Sequence, residues 1–358
     1  MLKSFSSKKM INSEQHVTSK NNKYKHMKHM KTRYILLILS LISHIGFTQT
    51  IEKYSIDSGG ASATAGGIEI LYTIGEVNVQ EHTTATLSIS EGFITTDFKI
   101  HIDPKVFLQG PLLNPATAGL MNDDLRSNGY LPTTSPYADA AIVAATVFNV
   151  GGTSGTGMPQ DDIVDWVWLE IRQANDNTKV VRSQSALVQR DGDIVDLDGI
   201  SSLQLNAAPT SYYVVVKHRN HLGIMSAAAI ALTESGTTSV DFKSSGVSTY
   251  GSNARLDISG VLALWTGNVN GDTVVQYSGT TPDTPSILSE VLNSPGNFLN
   301  FPTFVVSGYN THDVNMDGNT QYSGTNPDTP FILQNVLAHP GNFLNFSTHQ
   351  IIEQLPEN

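Results

Sequence analysis

The sequence predicts a mainly β fold: an antiparallel β-sandwich, preceded by a small β-rich segment and followed by two loop-helix repeats. Gly, Ser, Thr, Asn and Asp are abundant, while charged residues make up only 15% of the chain. This composition is typical of short strands joined by many turns. Runs in the middle of the chain alternate apolar and polar residues, and a segment near the C terminus occurs twice, 45 residues apart.

The N-terminal residues 1–48 predict an extension that ends in a secretory signal peptide. Residues 1–34 carry nine Lys or Arg against one acidic residue, and the apolar run Ile35–Ile42 follows. A basic flank before a short apolar run is typical of a signal peptide, and this run is short for a membrane span. We expect cleavage near Thr48 or Gln49, no membrane span in the mature chain, and a secreted or cell-surface location.

The charge of the remaining chain bears on its partners. Beyond residue 34 there are 12 basic and 31 acidic residues, a net charge of −19. Such a surface repels nucleic acid and anionic membranes and attracts cations, so we expect no nucleic-acid partner. The chain has no cysteine, which excludes disulfides and thiolate metal sites and leaves a hard cation as the favoured substitute cross-link.

Two β regions are predicted before the repeats. Residues 49–100 alternate β-rich stretches with glycine, which predicts a small segment of two or more strands. Residues 101–255 predict the sandwich, because the run Asp165–Arg172 places alternate apolar residues on one face. That period of two is typical of a half-buried strand.

Two groups of side chains in the middle region raise functional alternatives. Trp166 and Trp168 share one face of the predicted strand and could stack against sugar rings, although packing against another domain explains them equally well. His218 and His221 are expected to point to opposite faces, without an acidic partner, and to bond loop backbone. The sequence has no nucleophile elbow, phosphate-binding loop or His-Glu-x-x-His helix, so it is not interpreted as an enzyme, and a secreted hydrolase is the least favoured function.

Residues 265–349 contain the duplication and precede a short tail, residues 350–358. The segment Asn268–Pro285 recurs as Asp313–Pro330, and a repeat of this quality indicates two copies of one structural unit. Each copy opens with oxygen-bearing side chains at alternate positions: Asn268, Asn270 and Asp272, then Asp313, Asn315 and Asp317.

These oxygens predict one or two bound Ca²⁺ ions. Ca²⁺ takes about six to eight oxygen ligands, and loop positions 1, 3 and 5 direct three of them inward. Position 7 adds a backbone carbonyl, from Val274 or Asn319. Glycine replaces the usual acid at position 12, so we expect Asp283 and Asp328, four residues further on, to close the two sites. The alternative is a pair of Asx-rich turns without an ion.

A short helix is predicted after each loop. Thr284 and Thr329 are the expected N-caps, each followed by a proline at the first helical position. Apolar residues at helical spacing then fall on one face of each helix. Only Asp313–Gly318 keeps the whole Asp-x-Asn-x-Asp-Gly motif. In the first copy Asn268 and Thr273 depart from it, so weaker binding is expected there.

The duplicated pattern resembles the dockerin family, whose EF-hand-like loop-helix units bind calcium and, in some members, dock onto cohesin domains. The resemblance covers about residues 265–346. Segments such as Val106–Gly110 and Lys217–Gly223 are similar to secreted, haemagglutinin-like surface proteins of the Bacteroidetes type. Together these resemblances imply a non-catalytic adhesion or scaffolding protein whose partners are surface glycans or another extracellular protein. The alternative is a carbohydrate-binding accessory module of a secreted polysaccharide-degrading system.

Overall fold

The structure is a computed structural model, and it describes residues 59–65, 68–74, 80–83, 88–91, 98–152 and 157–356. The predicted extension and signal peptide, residues 1–48, lie outside the described residues. The chain forms two compact units: one comprises residues 1–82 and 89–95, and the other comprises residues 83–88 and 96–358. Within the described residues, no helix has the length and apolar character needed to cross a membrane.

The described residues before residue 98 form four strands, which pair into two two-stranded sheets. They are β1 Gly59–Ala65, β2 Ile68–Ile74, β3 Gln80–Thr83 and β4 Ser88–Glu91. β1 pairs antiparallel with β2, and β3 pairs with β4. This part of the chain is β-rich, as the alternation of strand-forming stretches with glycine predicts.

The larger unit is also mainly β. Its strands are β5 Lys99–Lys105, β6 Ile163–Gln173, β7 Asp176–Gln189, β8 Ile194–Val195, β9 Leu203–Asn206, β10 Ser211–His218, β11 His221–Met225, β12 Ile230–Ala231, β13 Thr237–Asp241, β14 Arg255–Ile258, β15 Val261–Leu264, β16 Val274–Val275, β17 Val306–Ser307, β18 Asn319–Thr320 and β19 Ile351–Ile352. Its α-helices are α1 Gln109–Leu112, α2 Asp124–Ser127, α3 Thr284–Asn293 and α4 Thr329–Ala338, and short 3₁₀ turns cover Ala145–Phe148 and Pro159–Asp161.

Two sheets contribute to the main core. A six-stranded sheet has the order β11-β10-β6-β7-β8, with β12 added on β10. A three-stranded sheet has the order β13-β5-β9, and its β5–β13 pair is parallel rather than antiparallel. The parallel pair is possible because β6 to β12 lie between these two strands in the chain and supply a long connection. Ile102 of one sheet and Leu169 of the other belong to the same buried cluster, while the face-to-face sandwich stays a prediction.

Strand β6 is more buried than its alternating sequence predicts. Val167, Leu169 and Ile171 are buried on one side, and Trp166 is buried on the other. The reason is position, because β6 lies between β7 and β10 in the middle of the sheet. The second face is covered by the chain around Pro132, whose carbonyl accepts a hydrogen bond from the Trp166 indole at 2.9 Å.

The two copies of the repeat are interleaved. The short strand in each loop pairs with the chain that follows the helix of the other copy: β16 with β19, and β18 with β17. The side chain of Gln276 donates to the carbonyl of Thr348 at 2.8 Å. Gln321 donates to Thr303 at 2.9 Å, an equivalent contact 45 residues away. Each copy is therefore completed by the other.

Helices α3 and α4 build a second core between the copies. Its buried side chains include Ile287, Ile332 and Val336, all on the predicted apolar faces. The predicted N-caps of α3 and α4 are wrong by one residue. Each threonine is the first helical residue, each proline the second, and an aspartate occupies the cap position without making a side-chain cap hydrogen bond. The aspartates do not cap because their carboxylates turn back into the preceding loops.

The second core predicts a contrast between two side chains of the second copy. Ile332→Ala removes fully buried apolar volume and should lower the free energy of unfolding by about 2–5 kcal/mol. Phe343→Ala removes a side chain that is 88% exposed and should change it by less than about 0.5 kcal/mol. Chemical denaturation of both variants measures this difference, and equal losses would contradict the assigned core.

Candidate metal centre

The second loop winds around its own side-chain oxygens. The carboxylate of Asp313 accepts hydrogen bonds from the amides of Asp317 at 3.2 Å and Gly318 at 2.8 Å. The amide group of Asn315 donates to Asp317 Oδ2 at 3.0 Å. The other oxygen of Asp317 accepts from the amide of Asn319 at 2.8 Å. The predicted ligands at positions 1, 3 and 5 are thus brought together by short bonds within the loop.

Asp328 lies against the same loop, as predicted for a closing residue. Its Oδ1 accepts from the amide of Val314 at 2.7 Å, and its Oδ2 accepts from the amide of Gln321 at 2.8 Å. The residue is fully buried and directed away from bulk solvent. A carboxylate offers about four lone-pair sites, so each oxygen that accepts one N–H still has capacity for a metal ion.

The first loop repeats part of this geometry. Asp283 accepts from the amides of Val269 at 2.9 Å and Gln276 at 2.8 Å, the same bonds that Asp328 makes. Further bonds join the other predicted ligands: Asn268 Oδ1 accepts from Gly271 N, Asn270 Nδ2 donates to Asp272 Oδ2, and Val274 N donates to Asp272 Oδ1.

The two loops differ in charge and exposure. The first contains the carboxylates of Asp272 and Asp283, whereas the second has three, from Asp313, Asp317 and Asp328. Residues 270–273, the apex of the first loop, are exposed to solvent. The first loop therefore combines less negative charge with more solvent screening, the direction that the sequence predicts for weaker binding.

Both loops contain two left-handed residues, at positions 4 and 6. These are Gly271 and Thr273 in the first loop, with φ of 75° and 67°, and Met316 and Gly318 in the second, with φ of 58° and 85°. Each loop has only one glycine for two such positions. Met316 is buried in the main core, which offsets its strain, whereas Thr273 is an exposed β-branched residue in a disfavoured conformation.

Burial raises the pKa of the three most buried aspartates of the loops. Burial raises the pKa of Asp283 to about 7. Burial and the charge of Asp317 raise the pKa of Asp313, although Arg219 offsets part of that rise. Burial and the charge of Asp313 likewise raise the pKa of Asp328. Among the described residues, the salt bridges involve other acids, and none joins these three to a Lys, Arg or His.

The donor set suits a hard cation. The side chains and carbonyls of each loop offer only oxygen, which Ca²⁺ prefers. In the part of the chain that the structure describes, no group of three or more His, Asp or Glu side chains is gathered as a metal cluster. The carboxylates of Asp313, Asp317 and Asp328 therefore do not meet at one point in this structure, and their convergence on an ion, together with Asn315 and the carbonyl of Asn319, stays a prediction.

A buried polar network joins the six-stranded sheet to the second copy, and sequence reasoning missed it. Asp165 accepts from Tyr309 at 2.7 Å and Arg219 at 3.0 Å, and it lies 3.1 Å from His218 Nε2. His218 Nδ1 is 2.9 Å from His221 Nδ1. Despite burial, the charge of Arg219 and the hydrogen bond with His218 lower the pKa of Asp165 to about 2.

The expectation for the two histidines is wrong. They end β10 and begin β11, and they face one another across a tight hairpin turn, so they share a face. Their acidic partner, Asp165, lies on the neighbouring strand β6. Strand register, which the sequence alone does not provide, was needed to find it. Asp165, His218 and His221 are all buried, so the network is interpreted as a structural connection.

The tryptophan pair does not form an exposed platform. Trp166 is fully buried, while Trp168 is half-buried and packs against Tyr137, with ring centroids 5.6 Å apart. Sugar stacking needs an accessible aromatic face, so these two side chains together do not support a carbohydrate site.

Comparison with protein-family models, curated proteins and solved structures gives no match to this chain. The interpretation of the loops therefore depends on their duplicated sequence pattern and on the geometry and electrostatics of their carboxylates.

The raised pKa of Asp283 predicts a pH dependence without calcium. The ion-free folded protein holds this proton where the unfolded chain has lost it, so the contribution to stability falls as pH rises from about 4 to about 7. The buried histidines titrate in the opposite sense, so the quantity to measure is the difference between wild type and Asp283→Asn in chelator. The wild-type chain should lose more stability over this range than Asp283→Asn. Parallel pH profiles in chelator would contradict the assignment.

The left-handed residues predict an asymmetric response to glycine exchange. Thr273→Gly should raise the free energy of unfolding by about 0.5–1 kcal/mol, because it relieves a strained β-branched residue. Gly318→Thr should lower it by about 2 kcal/mol or more, because a Cβ there would lie 2.8 Å from the Tyr130 ring. Thermal denaturation at matched calcium concentration measures both changes, and a destabilising Thr273→Gly would contradict the strain argument.

Proposed function

We propose that this protein is a secreted or cell-surface, non-catalytic adhesion or scaffolding protein whose dockerin-like C-terminal repeats bind one or two calcium ions. The observation that supports this proposal most strongly is the burial of two carboxylates in the second loop. This loop buries Asp313 and Asp328 completely, and no salt bridge among the described residues neutralises them. Arg219 offsets only part of the effect of burial on Asp313. Buried carboxylates without a salt-bridge partner are unfavourable at neutral pH, and a divalent cation would remove this penalty.

The second loop is the stronger of the two candidate sites. Three carboxylates, one amide oxygen and one carbonyl approach the ligand number that Ca²⁺ requires, and water can supply the remainder. Mg²⁺ demands near-ideal octahedral geometry and dehydrates reluctantly, so a loop with an inserted, distant closing acid favours Ca²⁺. We expect the first loop to bind more weakly, since Asn268 replaces a carboxylate.

Two exposed turns support a role in adhesion or scaffolding. The turn after each helix presents a phenylalanine to solvent: Phe298 is 90% exposed and Phe343 is 88% exposed. Both turns are held by a buried asparagine, Asn297 or Asn342, which bonds backbone groups on either side. Apolar side chains held outward in this way are typical of surfaces that contact another macromolecule, here another extracellular protein or a glycan-bearing surface.

The alternative, a carbohydrate-binding accessory module, stays a prediction without a located site. The burial of Trp166 removes the aromatic pair that motivated it. The adhesion or scaffolding proposal is preferred because the duplicated loops and the duplicated turns both contribute to it.

Calorimetric titration of the mature chain tests the calcium proposal. Wild type should bind one or two Ca²⁺ ions. Asp317→Asn, which removes one charge from the second loop, should weaken the tighter site by about tenfold or more. Asp272→Asn is the matched change in the first loop and should leave the tighter site unaltered. Absence of binding at millimolar calcium, with no rise in melting temperature, would contradict the proposal.

A further inference from the structure

The second loop makes direct hydrogen bonds to chain outside the repeat copies. The side chain of Asn220, in the turn between β10 and β11, donates to the carbonyl of Asp313 at 2.7 Å. The hydroxyl of Thr266, just after β15, donates to the carbonyl of Val314 at 2.7 Å. Asn220 and Thr266 are both fully buried. The backbone at loop positions 1 and 2 is thus held by buried donors.

The loop also lies very close to residues 98–264, called the β-rich part here. At two contact points there is no room for an added side chain. A Cβ added at Gly110 in α1 would lie 2.6 Å from the carbonyl oxygen of Val314, and one added at Gly318 would lie 2.8 Å from the Tyr130 ring. Gly110 and Gly318 therefore mark two separate contacts between this loop and the β-rich part. Met316, between them, packs in the main hydrophobic core. Loop positions 2, 4 and 6 all contact the β-rich part.

The first loop offers a natural contrast. Its apex, residues 270–273, is exposed. Among the described hydrogen bonds, Gly267 donates to the carbonyl of Asn220 at 3.0 Å, just before the first predicted ligand, and the tail residue Glu353 donates to the carbonyl of Thr273 at 2.9 Å. Its predicted ligand positions 3 and 5 are exposed, whereas those of the second loop, Asn315 and Asp317, are half-buried.

We propose that calcium in the second loop fastens the repeat region to the β-rich part, with Asn220, Gly110 and Tyr130 as positioning residues for the ion site. The inference rests on the proposed calcium binding and states what the ion controls. Predicted ligand residues alternate along the loop with the residues that contact α1 and Tyr130, and Asp313 belongs to both sets because its carbonyl accepts from Asn220. An ion that fixes the loop conformation therefore also stabilises the contact between the loop and the β-rich part.

Thermodynamic linkage makes the effect reciprocal. If the docked loop binds calcium more tightly than the undocked loop, calcium must favour docking by the same factor. Changes in the β-rich part that disturb the loop must then weaken calcium binding, although they touch no ligand side chain. The first loop, with its exposed apex, lacks this dependence.

Hydrogen exchange of the full mature chain, with calcium and with chelator, tests the inference. Calcium should slow amide exchange by about tenfold in residues 218–222 and 124–131, which lie outside the repeats. At a calcium concentration that only just saturates wild type, Asp317→Asn should lose most of this slowing, and the matched Asp272→Asn should retain it. Gly110→Ala, which pushes on the Val314 carbonyl, should weaken the tighter calcium site about tenfold in a titration and leave the weaker site unchanged.

The outcomes separate the inference from the proposed function. Calcium binding without slowed exchange in these two segments overturns the inference and leaves the calcium proposal intact. Equal behaviour of Asp317→Asn and Asp272→Asn also overturns it, as does unchanged calcium affinity in a folded Gly110→Ala protein. Absence of calcium binding in wild type overturns the proposed function itself.

Discussion

Buried negative charge in the second loop is the constraint on which the C-terminal region depends. Asp313 and Asp328 are removed from water. Burial raises the pKa of both, and the charge of Asp317 on Asp313 and of Asp313 on Asp328 adds to the rise. Such a pair can be neutralised by protons or by a cation. Protonation gives up the ionic form that the loop amides bind, whereas a calcium ion keeps both carboxylates ionised at neutral pH. We propose that neutralisation by calcium fixes the loop conformation and its contacts.

The strand pairs between the two copies connect the second loop to the rest of the repeat region. Because β16 pairs with β19 and β18 pairs with β17, each loop is braced by chain from the other copy. The buried network of Asp165, Arg219 and Tyr309 then ties the start of the second copy to the six-stranded sheet. Tyr309 precedes Asp313, the first predicted ligand of the second loop, by four residues, so the network links the sheet to the proposed ion site.

Local patterns predicted what depends on local chemistry. The mainly β class, the positions of the two longer helices and the return of Asp328 to its loop all follow from composition, helical spacing and repeated oxygen donors. Long-range register could not be predicted in this way. A single sequence does not show which strands become neighbours. This pairing determines the interleaving of the two copies, the Asp165–His218 contact and the burial of Trp166.

A high-resolution structure from crystals grown with calcium would show whether the second loop binds an ion. We expect an ion in this loop about 2.3–2.6 Å from side-chain oxygens of Asp313 and Asp317 and from the carbonyl of Asn319, with Asp328 closing the site. A loop that at saturating calcium holds no ion, with Asp313 and Asp328 bonded only to backbone amides, would contradict it.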